Sequence, residues 1–161
     1  MKYALTGGKI LDSTRDMQVQ TGKTVLVDGE TITAIVPDGG GHPGYTVIDL
    51  GGRYLMPGLI NMHVHLAGNG KPQKKQRDNE ALVKKIMATG RAAELAGLGA
   101  VTGTVTAGMC ADLIVTKENP LEDLRALRNV DMVMARGRLT RDPEFKVNRI
   151  VAAELDRWLE D

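Results

Sequence analysis

Short runs of β-branched and aliphatic residues, separated by glycine turns, recur in both the first and the last third of this chain. The two clearest pairs are Thr24–Val27 with Thr31–Val36 and Val130–Ala135 with Arg138–Thr140. Asp28-Gly29 separates the first pair and Arg136-Gly137 the second. Because glycine accepts the positive φ of a tight hairpin turn without steric cost, both pairs predict antiparallel strands.

Other segments in the same two regions have the same character. Further strands are predicted at Tyr3–Thr6, Lys9–Leu11, Tyr45–Leu50 and Asp112–Thr116. We expect the strands of the first fifty residues to form a meander with one apolar face. A short helix that opens at Pro120 and runs through Leu127 is predicted before the last hairpin.

The middle of the chain has a different pattern. Leu59–His65 is apolar almost throughout, which is typical of a strand buried on both faces in a parallel sheet. Asp78 can cap a helix whose Leu82, Ile86 and Met87 lie on one stripe. A second helix, Ala92–Leu98, is expected to end at Gly97 or Gly99, and an amphipathic helix is expected at Val151–Leu159.

Composition narrows the class of protein. The chain has 161 residues, a formal net charge of +1 and a hydrophobic content of 42%, which are typical of a soluble globular domain. Only 3% of the residues are aromatic, so stacking platforms for nucleic acid are not expected. No segment has the length of a signal peptide core or a membrane span, so a cytoplasmic location is the default expectation.

His63 and His65 are the residues most suggestive of chemistry. They are separated by one residue on a predicted strand, and alternate side chains of a strand point to the same face. The two imidazoles could therefore bind one metal ion, although two buried histidines without a metal would give the same pattern. Cys110 is the only cysteine, which excludes an intrachain disulfide and a cysteine-rich zinc cluster.

The sequence around the histidines resembles a known family. Residues 54–65, Tyr-Leu-Met-Pro-Gly-Leu-Ile-Asn-Met-His-Val-His, are similar to the "PGLID-H-H" segment that leads into the first barrel strand of the amidohydrolase superfamily. Residues 103–115 resemble its "G-x-I-x-x-G-x-x-A-D-L-V-V" segment, which returns from the barrel to the β domain. Residues 27–35, 47–52, 119–123 and 133–138 also resemble the family's strands, and the subgroup looks like the imidazolonepropionase and prolidase relatives.

This resemblance implies a mainly β fold with helices, in the α+β class. In the family, the two segments that bracket the barrel fold together as a β-sandwich. Here they would be residues 1–58 and 103–140, which form one composite β-sandwich domain. Residues 59–102 would be a remnant of the (β/α)8 barrel, with its first strand and two helices, and residues 141–161 would hold the C-terminal helix.

The chain departs from the family where the catalytic barrel should be. Closed barrels of this type need at least about 200 residues, more than the whole chain has outside the two sandwich segments. No residue matches the family's bridging carboxylated lysine, its two later histidine ligands or its catalytic aspartate. His63 and His65 would thus form an incomplete site for zinc or another divalent metal, and no catalytic residue is assigned.

Other polar residues have simpler explanations. His42, the only other histidine, falls in a Gly/Pro loop before the predicted barrel strand. Asp112 is the remaining candidate acid, but it matches the Ala-Asp-Leu strand of the β domain, where a structural role is expected. Cys110 is expected to be a small core residue, and the basic run Lys71–Arg77 a solvated loop.

Three functions remain compatible with the sequence. The one we favour is a barrel-deleted amidohydrolase without hydrolysis of its own. The second is a metal-dependent hydrolase of C–N bonds in a cyclic amide or dipeptide, with the missing ligands supplied by another subunit. The third is an oligomerising interaction module, in which strand exchange or dimerisation buries the orphaned strand Leu59–Val64.

Overall fold

A computed structural model describes residues 1–14, 17–60 and 89–144. The strands are β1 Lys2–Thr6, β2 Lys9–Leu11, β3 Val19–Gln20, β4 Lys23–Asp28, β5 Thr31–Pro37, β6 Thr46–Asp49, β7 Tyr54–Pro57, β8 Leu113–Thr116, β9 Val130–Ala135 and β10 Arg138–Arg141. Helix α1 is Thr89–Leu95, and a 3-10 helix spans Leu124–Arg128. The fold is mainly β with few helices in the described part, which confirms the predicted fold class.

The strands form two sheets. Four strands make the first sheet, in the order β5-β4-β1-β6, and six make the second, in the order β10-β9-β8-β7-β2-β3. The second sheet combines strands from both sides of the internal segment. In particular, β7 pairs antiparallel with β8, with Leu55 opposite Val115 and Pro57 opposite Leu113. Strands that are far apart in the sequence therefore share one continuous hydrogen-bonded ladder.

The main core contains buried side chains from both sheets. Leu5, Val25 and Ile48 come from the first sheet, and Leu55 and Leu113 from the second. Because strand side chains alternate between faces, every second residue of β4 and β8 reaches this core. The core is aliphatic, as expected for a chain with few aromatic residues.

A smaller apolar cluster covers the opposite face of the second sheet. Met56 and Ile114, which alternate with the core residues of β7 and β8, are buried here with Leu11 and Met17. Leu124 and Leu127 of the 3-10 helix pack against them. The side chain of Asp123 caps this helix by accepting the backbone N–H of Arg125. The second sheet is thus covered on both faces, which explains why β8 is buried along its whole length.

The expected meander of the first fifty residues is wrong. β1 and β2 do not pair with each other but enter different sheets, where each has a parallel partner, β6 and β7 respectively. Gly7 and Gly8 make this crossing possible. Gly7 has a positive φ of 63°, and a Cβ on Gly8 would lie 2.6 Å from a methyl carbon of Leu50.

Most other predicted elements are confirmed within a few residues. Both hairpins form as expected, β4 with β5 and β9 with β10. Helix α1 ends at Leu95, two residues before Gly97, which has a positive φ of 73°. Strands β3 and β7 were not predicted. None of the helices in the described ranges is long and apolar enough to cross a membrane.

Several predictions concern residues outside the described ranges. These are residues 61–65 of the predicted strand Leu59–His65, the basic run Lys71–Arg77, the helix after Asp78 and the C-terminal helix Val151–Leu159. The first two residues of that predicted strand, Leu59 and Ile60, are described and lie in no strand. They stay predictions.

Candidate functional site

The candidate site lies at the end of β7, after which the segment with His63 and His65 follows in the sequence. After β7, the backbone N–H of Gly58 donates to the carbonyl oxygen of Asp112 at 2.8 Å. Ile60 is the last described residue before the segment that contains His63 and His65. The point where the chain leaves the sandwich and the point where it returns are therefore joined by a direct hydrogen bond.

Asp112 makes structural contacts through both carboxylate oxygens. Its Oδ1 accepts the backbone N–H of Arg136 at 2.8 Å, and its Oδ2 accepts the hydroxyl of Thr102 at 3.2 Å. Arg136 has a positive φ of 46°, and it lies in the turn between β9 and β10. Asp112 thus holds this strained turn and the segment before β8 together, which agrees with the structural role expected for it.

Two hairpin turns pack against each other beside Asp112. The guanidinium of Arg136 pairs with the carboxylate of Glu30, with Nη2 to Oε2 at 2.9 Å. Gly137 approaches the Gly29 carbonyl so closely that a Cβ would overlap with it. Ala111 is hydrogen-bonded to both turns: its backbone N–H donates to the Glu30 carbonyl, and its carbonyl oxygen accepts the Gly137 N–H. Sequence reasoning identified both turns but not their contact.

Cys110 lies in the same region and is half-buried rather than fully in the core. Its backbone N–H donates to the Val101 carbonyl oxygen at 2.7 Å, and it forms an isolated bridge with Thr31. Burial, followed by the negative charge of Asp112, raises the pKa of the Cys110 thiol. A raised pKa lowers the thiolate fraction at neutral pH, which does not favour Cys110 as a nucleophile.

The described residues do not by themselves form a cluster of metal ligands. Within residues 1–14, 17–60 and 89–144, no three side chains of the His, Cys, Asp or Glu type are grouped so that they could hold a metal ion. A catalytic zinc needs about three protein ligands. Neither Asp112, Cys110 nor His42 is therefore part of a ready ligand cluster in this part of the chain.

Apolar side chains are exposed in the segments next to this end of the sandwich. They are Leu59, Leu95, Leu98 and Val101. The Val101 N–H donates a hydrogen bond to the Leu98 carbonyl, and the Val101 carbonyl accepts one from the Cys110 N–H. Leu59, the first residue of the segment predicted as a strand buried on both faces, is thus exposed.

Comparison with known proteins gives two kinds of relative. No protein-family model matches the chain. A dihydroorotase from Syntrophus aciditrophicus is 36% identical over 76 residues, which are 47% of this chain and 17% of that protein. A dihydroorotase from Bacillus pumilus is 39% identical over 79 residues, again 47% of this chain and 17% of that protein. The matched part thus spans about a sixth of each of these curated relatives.

Solved structures share the fold over much more of the chain. A Bifidobacterium longum protein assigned as a prolidase superposes with a TM-score of 0.75, covering 98% of this chain and 99% of that one at 11% identity. A structure described as an amidohydrolase superposes with a TM-score of 0.65, covering 90% and 100% at 11% identity. At this identity the structural likeness concerns the fold. Together with the dihydroorotase matches, it shows a mainly β chain that shares its fold with solved prolidase and amidohydrolase structures and is similar to dihydroorotases over 47% of its sequence.

Proposed function

We propose that this chain is the β-sandwich of an amidohydrolase whose catalytic barrel is missing, and that it does not hydrolyse amides on its own. The observation that carries the proposal is the closure of the sandwich across the internal segment. β7 pairs with β8 along four residues, and the Gly58 N–H continues this connection to the Asp112 carbonyl. Within the described residues, strands from before and after the internal segment thus share one core.

The length of the internal segment supports the same proposal. Residues 59–102 separate the end of β7 from the returning segment. A closed (β/α)8 barrel takes at least about 200 residues, because each of its eight strands needs a helix and two loops. Residues 59–102 can supply at most a strand and two helices of such a barrel.

The chemistry of amide hydrolysis also favours this proposal. A metal-dependent hydrolase needs a metal-bound water with a lowered pKa, held by a complete ligand set with one open position. His63 and His65 offer two ligands, Asp112 is hydrogen-bonded to the backbone of Arg136, and no three potential ligands are grouped within the described residues. Similarity to hydrolases therefore does not by itself give this chain hydrolase activity, because activity depends on the site rather than on the fold.

The proposal is tested by comparing hydrolysis by the chain and by its His63→Ala, His65→Ala double variant, both with added zinc. Dihydroorotate and a dipeptide ending in proline are the substrates that the relatives suggest. We expect no rate above that of the double variant. Turnover by the chain that the double variant loses would overturn the proposal and support the alternative, a C–N hydrolase completed by another subunit.

An oligomerising interaction module is a separate alternative to this proposal, in which another copy of the chain would cover residues 59–64, which are predicted to form a strand without barrel neighbours. Leu59, the first of these residues, is exposed.

A further inference from the structure

The strand edges of the two sheets differ in how they are protected against pairing with another chain. β5 contains Pro37 and a bulge opposite β4, β10 begins and ends with arginines, and β3 is only two residues long. Each of these features is a known device that blocks an exposed strand edge. β6, Thr46-Val47-Ile48-Asp49, has no proline, lysine, arginine or bulge, and its only strand partner in the described sheets is β1.

The backbone of β6 offers hydrogen-bonding groups on the side away from β1, where the described part of the chain has no strand. Leu50 donates its N–H to the Thr6 carbonyl at 2.8 Å. The backbone N–H and C=O groups of the even-numbered residues in this segment therefore point toward β1. Since successive residues alternate, the N–H and C=O groups of Val47 and Asp49 point away from β1. The Asp49 carboxylate does not block this edge, because its Oδ1 accepts the Gly51 N–H at 2.8 Å within the following turn.

A row of apolar side chains crosses the face of the first sheet that is opposite the main core, and the row ends at this edge. Val47 lies opposite Ala4, Ala4 opposite Leu26, and Leu26 opposite Ala34. Val47, at the β6 end of this row, is 57% exposed. An exposed valine at the end of an apolar row has one favourable neighbour, which is another apolar side chain at the same level of an added strand.

We infer that β6 pairs antiparallel with β6 of a second copy of this chain, about a twofold axis at Val47. In this register Val47 faces its own counterpart, Thr46 faces Ile48, and Tyr45 faces Asp49. Thr46 and Ile48 lie on the same face of β6, so the register keeps the faces of the two sheets aligned. The two four-stranded sheets become one sheet of eight strands, and the apolar row runs through it without interruption.

A second copy suits this edge because of symmetry. A twofold contact uses the same patch twice, so the patch must complement itself. The register at Val47 meets this condition: it exchanges two backbone hydrogen bonds between the Val47 residues and keeps the two Asp49 carboxylates apart. This contact involves β6 and is distinct from strand exchange through Leu59–Val64, and it does not depend on the proposed function.

The inference is tested by sedimentation velocity of the chain from about 5 µM to about 1 mM, the range suited to an interface smaller than about 800 Å² per partner. We expect a concentration-dependent dimer. Val47→Lys places two ammonium groups opposite each other and should raise the dimer dissociation constant at least about tenfold. Val19→Lys, at a 42% exposed valine on the β3 edge, is the matched control and should change it less than about twofold.

A cross-linking experiment gives a second readout that does not depend on a charged substitution. In a Cys110→Ser background, Val47→Cys should be joined to its counterpart by a short bismaleimide, whereas Val19→Cys should not. A chain that stays monomeric up to the highest concentration would overturn the inference. A dimer that Val47→Lys leaves intact, or equal cross-linking at both positions, would also overturn it.

Discussion

Gly137→Ala is expected to lower the free energy of unfolding by more than about 3 kcal/mol, the sum of backbone strain and overpacking. Gly137 has a φ of 72°, which an alanine adopts only with strain. A Cβ at this position would also overlap with the carbonyl of Gly29 in the facing hairpin turn. That turn is held by hydrogen bonds on both sides, so the contact has little freedom to open.

Gly22→Ala is the matched control for this prediction. Gly22 has nearly the same φ, 68°, but no atom lies within 4 Å of the position that its Cβ would take. Only the backbone strain remains, so a loss of about 1 kcal/mol is expected. Urea denaturation of the two variants and the unchanged chain measures both losses. Equal losses would mean that the two hairpin turns do not pack together as described.

Leu55→Ala is expected to cost about 2–5 kcal/mol of unfolding free energy, the usual range for a leucine removed from a core. Leu55 is 0% exposed. It lies on β7 between β2 and β8, opposite Ile10 on one side and Val115 on the other. A cavity there would weaken the ladder that joins the strands before and after the internal segment.

Leu95→Ala provides the control with the same chemical change. Leu95 ends α1 and is 82% exposed, so its removal is expected to alter the unfolding free energy by less than about 0.5 kcal/mol. The same urea titrations compare the two variants. If Leu55→Ala were as mild as Leu95→Ala, the β7–β8 ladder would not be part of the core.

Local patterns predicted the strands better than their arrangement. The hairpins β4–β5 and β9–β10 follow from their turn residues, because their partners are adjacent in the sequence. The parallel pairs β1–β6 and β2–β7 join residues more than forty positions apart, and no local pattern specifies such partners. β7 was missed because Pro57-Gly58 interrupts an apolar run in a way that resembles a turn.

The candidate site also has features that the local sequence predicts and features that only the fold defines. A structural role for Asp112 could be predicted from its place in a family-like strand, but its partners Thr102 and Arg136 are defined only by the fold. The ion pair between Glu30 and Arg136 joins residues separated by 106 positions. The prediction that His63 and His65 form an incomplete metal site concerns residues outside the described ranges and stays a prediction.

The most direct test of the central proposal, that this amidohydrolase-like sandwich has no complete catalytic centre, is the metal content of the purified and dialysed chain. Elemental analysis would compare it with the His63→Ala, His65→Ala double variant. We expect both proteins to retain the same small amount of zinc, because two histidine ligands do not complete a site. About one metal ion per chain, lost in the double variant, would contradict the account.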